Sequence, residues 1–254
     1  MSNEVEKGRS NVPAFVPRAP RGMEGADDED FPQPRLKINQ YLSPMVAEKK
    51  AEAGTLYNSI TEEVYGNRVV IQPIKFFKTR IKWFPRETGG GMDCRSLDGI
   101  VGSNYGVCAG CAYRQWGEEP PECTAILNFL SIIREPKTDQ PLIVVSFLRT
   151  SYAEGRQLGA KLRYAMKDIF FKKYGVVSKG TKNEKGAFFI LDTDGGVAAG
   201  EEEYKQAATL YEVFMGKMVE VDFREEEENF EAPVDDTVSP GAEPEVSDDE
   251  FSFR

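Results

Sequence analysis

Four cysteines, Cys94, Cys108, Cys111 and Cys123, fall within thirty residues, in the run CRSLDGIVGSNYGVCAGCAYRQWGEEPPEC. Thirteen, two and eleven residues separate successive thiols, so the run contains a CxxC pair with Gly110 inside it. Such a knuckle turns backbone amides toward thiolate sulfur, and two further thiolates complete a tetrahedral four-cysteine shell. With no fifth cysteine and no histidine in the chain, that shell is closed, which is the property of a structural Zn2+ site lending folding energy to a loop-rich insertion. An iron–sulfur cluster uses the same ligands, and a redox CxxC with two bystander thiols is the remaining alternative, although no βαβ pattern surrounds the pair. Gly89, Gly90 and Gly91, just before Cys94, let the chain turn sharply into the insertion.

A second chemical pattern precedes the first. Residues 68–86 contain six bases and no acid. Strand alternation places Phe76, Lys78, Arg80, Lys82 and Phe84 on one face and Phe77, Thr79, Ile81 and Trp83 on the other. The first face offers what a single-strand groove needs, cations along a phosphate track and aromatic planes on which unpaired bases stack. An edge strand protected by lysines leaves the same pattern. The insertion repeats the chemistry with Arg95, Tyr105, Tyr113, Arg114 and Trp116, and a third patch, Arg149, Arg156, Arg163 and Lys167, is expected as a stripe on a helix or as a solvated face.

These side chains need elements to hold them. The segment 54–66 reads as a hairpin-like pair, 68–84 as one long bent strand with Pro73 at an edge or bulge, and 125–135 and 141–150 as two strands joined by the hairpin loop EPKTDQP. A helix is expected over 151–174, capped by Thr150 or Ser151 and ended by Gly175, with Leu158, Leu162, Met166 and Ile169 on its buried face. A strand at 187–195, a helix at 201–215 and a final strand at 218–223 complete the set. Five or six strands with outer helices predict a mainly β (α+β) fold: an OB-fold-like antiparallel barrel with peripheral helices and an inserted zinc-ribbon-like subdomain at about 88–124.

Charge divides the chain of 254 residues into three. Residues 225–254 carry twelve acids and one base, and the first 33 residues seven acids and four bases. The remaining 34–224 hold 27 bases against 23 acids, so a net charge of −10 conceals a mildly basic middle. Residues 1–34 and 225–254 have the composition of disordered arms flanking a core at 35–224. The absence of histidine removes Ser-His-Asp, Cys-His and His-ligated metal chemistry. No apolar run is long enough to span a membrane and no h-region follows the N-terminal charges, so a soluble, non-membrane chain is expected.

An enzymatic alternative rests on Asp192 and Asp194 with Glu201 to Glu203 as metal-binding carboxylates of a phosphodiester enzyme. A turn between strand and helix explains DTDGG more simply, and as a calcium loop the segment fails because Val197 stands where glycine is required. No enzyme is expected.

The segments GTLYNSITEEVYG, IKFFKTRIKWFP, GGGMDCRSLDG, the CAGC knuckle with Trp116 and Cys123, NFLSIIRE and VSFLRTSYAEGRQL together resemble a family of bacteriophage single-stranded DNA-binding proteins, over about 35–165. In organisation the chain is similar to helix-destabilising proteins of the T-even phage type, which combine an OB-fold, an inserted zinc subdomain and an acidic C-terminal arm. It departs from them in an all-cysteine ligand set where they use a histidine, and in an acidic N-terminal arm where theirs is basic and supports cooperative growth. The resemblance implies a sequence-tolerant binder of single-stranded DNA in phage replication, recombination or repair, in the cytoplasm of the infected host. The tail tip, Asp248, Asp249, Glu250, Phe251 and Phe253, is similar to tips that such proteins present to phage or host replication proteins, its phenylalanines filling a pocket ringed by bases. A zinc-ribbon adaptor or transcription regulator is the alternative.

Overall fold

The computed structural model describes residues 33–85, 90–117, 120–134, 142–184 and 186–223. Its strands are β1 (Arg35–Ile38), β2 (Leu56–Asn58), β3 (Val64–Gly66), β4 (Arg68–Trp83), β5 (Met92–Ser96), β6 (Val101–Gly102), β7 (Gly106–Val107), β8 (Cys123–Ile133), β9 (Leu142–Leu148), β10 (Lys172–Asn183) and β11 (Gly186–Ala198). Helices α1 (Pro44–Ala47), α2 (Tyr152–Tyr164) and α3 (Glu201–Phe214) stand among them. Among the described residues nine strands form one curled, half-barrel sheet in the order β11-β10-β4-β8-β9-β1-β2-β3, with β5 added to β4, and β6 pairs with β7 in a separate ribbon. The fold is mainly β with peripheral helices, as the OB-like expectation requires.

Each face of the sheet carries its own core. Val69, Ile71, Leu127, Phe129, Val145 and Phe147 pack on one face with Leu158 and Leu162 of α2. Ile74, Ile81, Ile126, Leu130 and Val144 pack on the other with Leu210 and Phe214 of α3. Each such side chain, fully buried, contributes about 1.5–3 kcal/mol. Gly155 lets α2 sit directly on β9, since a Cβ there would lie 2.5 Å from that of Phe147. At the seam the Gln40 side chain acts as a short strand, donating to the carbonyl of Phe189 and accepting from its amide, both at 2.9 Å.

The long strand β4 changes face part-way. Its pairing with β8 slips between Pro73 and Lys75, so odd-numbered residues Val69 and Ile71 and even-numbered Phe76 meet the same core. That bulge is what Pro73 produces in a central strand.

Several expectations are corrected. The helix over 151–174 ends at Tyr164, Met166 is 91% exposed with φ +49°, and residues from Lys172 form β10, with Gly175 inside the strand. Tertiary pairing with β4 and β11 overrides the helical spacing there. The DTDGG segment lies within β11 rather than in a turn. Ion pairs hold its acids in the strand, Asp192 with Lys179 and Asp194 with Arg68. Residues 218–223 form no strand. They cross a sheet face with Val219, Val221 and Phe223 buried, joined to Gln33 by a single bridge. The barrel is also not purely antiparallel, because β1 runs parallel to β9, and the sheet has nine strands rather than five or six.

The 54–66 hairpin is present as β2 and β3, and β8 and β9 pair antiparallel although the EPKTDQP loop lies outside the described residues. Gln33 and Pro34, expected in the N-terminal arm, are tied in through Gln33 to Glu220 and Pro34 to Val144. The remainder of that arm and the tail beyond Phe223 lie outside the described residues.

Candidate functional site

Strand register brings the two sequence patterns together. Lys82 on β4 is paired with Cys94 of β5 on one side and with Cys123 of β8 on the other. The β4–β5 register slips between Lys82 and Trp83, which sets Asp93 and Cys94 together opposite Lys82. The β6–β7 hairpin then carries the chain to the short turn Cys108–Gly110, closed by a Cys111 amide donating to the Cys108 carbonyl. All four cysteines line one cavity, together with Arg80, Lys82, Tyr105, Tyr113 and Arg114. Gly102 is a close-packing position in it, because a Cβ there would meet Cys94 Sγ at 2.7 Å and Cys108 Sγ at 4.0 Å.

In donor chemistry this cavity fits a thiophilic metal ion. As placed, however, no three Cys, Asp or Glu side chains among the described residues stand close enough together to hold an ion. The register explains the spread: Cys94 and Cys123 lie on opposite flanks of the Lys82 strand, about two strand spacings apart, and must lean inward to share a ligand.

Lys82 is the electrostatic centre of the cavity wall. Only 6% exposed, it meets Asp93 at 2.5 Å and Glu122 at 3.2 Å, and its ammonium lies 4.5 Å from the Tyr113 ring centroid. Tyr105 packs on Tyr113 at 4.8 Å and donates to Asp93 at 2.8 Å. The bond to Asp93 holds the Lys82 ammonium well above the usual lysine range, and the same bond holds the Asp93 carboxyl low. The hydrogen bond to Asp93 pushes the Tyr105 hydroxyl up to about 12. Burial pushes the Cys123 thiol up, against the opposing charge of Arg80.

The basic and aromatic residues do not form the continuous stripe that alternation predicts. Arg80 and Lys82 are buried under the cysteine insertion and face its cavity, which takes both out of a solvent-facing phosphate track. Phe76, 47% exposed, and Lys78, half-buried beside Gly99, remain on the same face. Beyond β8, β4 pairs with β10 over residues 68–71 and with β5 over 80–83. Between those pairings residues 72–79 have no strand on that side among the described residues; Gln72 there donates to the Phe170 carbonyl, and Phe76 and Lys78 follow it before the insertion.

Other candidates are dispersed. Trp116 is 60% exposed and Phe84 is exposed. Tyr105 and Tyr113 belong to the box around Lys82, and Arg114 is half-buried at the cavity. Arg95 is paired in register with Ile81 and pinned to Glu220 at 2.8 Å and to the Val221 carbonyl at 2.9 Å. Arg149, at φ +48°, lies over the Trp83 ring at 5.4 Å. Since Ile81 and Trp83 belong to the α3 core, Arg95 and Arg149 stand across the sheet from Phe76. Arg156 and Arg163 are exposed along α2. The tail residues Asp248, Asp249, Glu250, Phe251 and Phe253 lie outside the described residues.

Sequence reasoning missed Asp93 and Glu122 as partners of Lys82, and the exposed Tyr164 beside Arg163. The adjacency of Asp93 to Cys94, opposite a basic strand, was the available signal for the first. Among the described residues no helix is long and apolar enough to cross a membrane.

The family model described as "Pam3 phage gp34-like protein" matches residues 5–220 of the chain. No curated protein and no solved structure matches it.

Proposed function

The chain belongs to the Pam3 phage gp34-like protein family, and we propose that it is a non-enzymatic, sequence-tolerant single-stranded DNA-binding protein serving phage DNA replication, recombination or repair. The observation that carries this reading is Phe76, a half-exposed ring backed by Phe129 at 5.2 Å and on the same face as Lys78, in a stretch of β4 that only β8 pairs among the described residues. An aromatic platform beside a cation binds unpaired bases without regard to sequence. Phe84, Trp116 and Arg114 extend the surface toward the insertion, and Arg156 and Arg163 supply charge on α2. The four cysteines hold one structural Zn2+ that draws the insertion together once the thiols close on it. The acidic tail, through Phe251 and Phe253, recruits replication proteins in the host cytoplasm and competes with DNA for the basic surface.

Fluorescence anisotropy of the full chain against oligo-dT, oligo-U and duplex of equal length, at two salt concentrations, tests this reading. Preference for oligo-dT, with affinity falling at a slope of about −0.7 per phosphate neutralised, supports it. Equal or absent binding, with and without residues 225–254, overturns it.

A zinc-ribbon adaptor is favoured by a different observation, the exposed Ile100, Val101 and Val107 on the β6–β7 hairpin, with Val101 paired to Val107. That reading predicts a protein or duplex partner and indifference to the loss of Phe76.

A further inference from the structure

A buried cation needs an anion. Arg80 is only 7% exposed near the end of β4, fixed by pairing with Ser96 on one side and Ala125 on the other. Its neighbour on the same face, Lys82, is met by two carboxylates, Asp93 and Glu122. Arg80 has no carboxylate in ion-pair distance among the described residues, and it lines the cavity with the four cysteines, on the same face of the β4–β8 ladder as Cys123. A neutral thiol is a weak acceptor and leaves a desolvated guanidinium poorly compensated, whereas a thiolate supplies the missing charge. The converse need is as strong, because four thiolates around a divalent ion carry a net charge of about −2 that is costly to enclose without a nearby cation.

We propose that Arg80 is the charge-compensating residue of the cysteine cavity: its guanidinium, fixed beside Cys123, balances the excess negative charge of a four-thiolate metal site and sets how tightly the site holds its ion. This rests on the reading of the four cysteines as one metal site. Cys94, Cys108, Cys111 and Cys123 would hold a divalent ion as thiolates, their four protons passing to solvent with no oxidation or reduction. Arg80 acts through the ligand sulfurs rather than on the metal, so it is a positioning residue, two residues along β4 from the row Cys94–Lys82–Cys123 and on the same face. Lys82 is unsuited to this role, being held by Asp93 and Glu122.

The test uses the full chain with Zn2+ and Co2+ as probes, measuring metal per chain, affinity by competition with a chromophoric chelator, and the pH at which half the metal is released. Wild type is expected to bind one ion per chain. Arg80→Gln, which keeps a donor and loses the charge, is expected to bind about 10–100-fold more weakly and to release the ion at higher pH, because protons then compete better for the sulfurs. Arg80→Lys, which keeps the charge, is expected to stay within about threefold of wild type. Arg80→Gln equal to wild type, or Arg80→Lys as weak as Arg80→Gln, overturns the proposal while leaving the metal site intact. Wild type taking up no ion overturns the site and the proposal together. Hydrogen exchange in β8 and β9 reports whether a variant is folded. If Arg80→Gln is not, Ala125→Asp places a carboxylate in register with Arg80 and is expected to weaken metal binding similarly; unchanged affinity overturns the proposal.

Discussion

Phe76 rests on Phe129, ring centroids 5.2 Å apart and planes inclined at 50°. The lower ring is fully buried and is itself held edge-on by Phe147 at 5.8 Å. The upper ring is therefore an exposed aromatic on a rigid base, oriented before any ligand arrives, which limits the ordering cost of stacking on it.

Phe76→Ala is expected to reduce affinity for oligo-dT by about 1–3 kcal/mol, or roughly 5–150-fold, with no change in the salt slope because no charge is lost. Anisotropy titrations at several salt concentrations read both quantities. Phe76→Trp is expected to retain binding, and loss of affinity in both variants would place the base contact elsewhere.

Lys82→Met is expected to lower thermal stability by several degrees, since it leaves Asp93 buried without its cation. The loss has a defined pH window. Lys82 is held above its ordinary range, so its share of stability is present at all pH values below that range and is lost only in strong alkali. Asp93 is held below its ordinary range, so its share is present above the usual carboxylate range and disappears as acid protonates it. The difference in Tm between wild type and variant is expected to be constant from about pH 6 to 9 and to shrink below about pH 4. A difference that persists undiminished into acid would show that the pair is not what the substitution removes.

Much of the architecture is legible in the residues, and the failures have physical causes. Val, Ile and Phe runs locate β4, β8 and β9 because those strands are buried on both faces and read as continuous apolar segments. The β10 strand is hidden because Leu158, Leu162, Met166 and Ile169 keep helical spacing past the point where the helix ends, and Lys172–Asn183 offers little apolar alternation of its own. Its strand form comes from pairing with β4 and β11, which local sequence does not encode. At the site, alternation correctly puts Phe76, Lys78, Arg80 and Lys82 on one face, but only the chain folding back from β5 reveals that the last two are covered.

Arg95 joins the cysteine insertion to the segment after α3, and its removal is expected to loosen both ends. Its guanidinium reaches the Glu220 carboxylate at 2.8 Å and the Val221 carbonyl at 2.9 Å, while Arg35 lies over the Phe223 ring at 4.2 Å from the other side. In Arg95→Met, amide exchange in β5 and at residues 219–223 is expected to accelerate by about 2–5-fold, the scale of a partly exposed ion pair, with β8 and β9 unchanged. Acceleration confined to β5 would mean that the segment is held by Val219, Val221 and Phe223 alone.

Glu154 contributes an opposite pH dependence from the far end of α2. Burial, and then the charge of Asp192, raise its carboxyl above the ordinary range. The folded state thus takes up a proton that the unfolded state does not, and stability falls as pH rises through that interval. Neutral Gln at this position removes the penalty, so Glu154→Gln is expected to raise Tm at pH 7 by about 1–2 °C, and to have no effect once the pH is low enough to protonate Glu154 in both states. Burial pushes Asp192 up, but its bonds to the Thr193 amide and to Lys179 together hold it below the ordinary range, so Asp192→Asn is expected to destabilise at neutral pH and to lose its effect in acid. Thermal melts of the two variants from pH 3 to 8 therefore diverge as the pH rises. Curves that run parallel would show that neither carboxylate exerts its effect through charge.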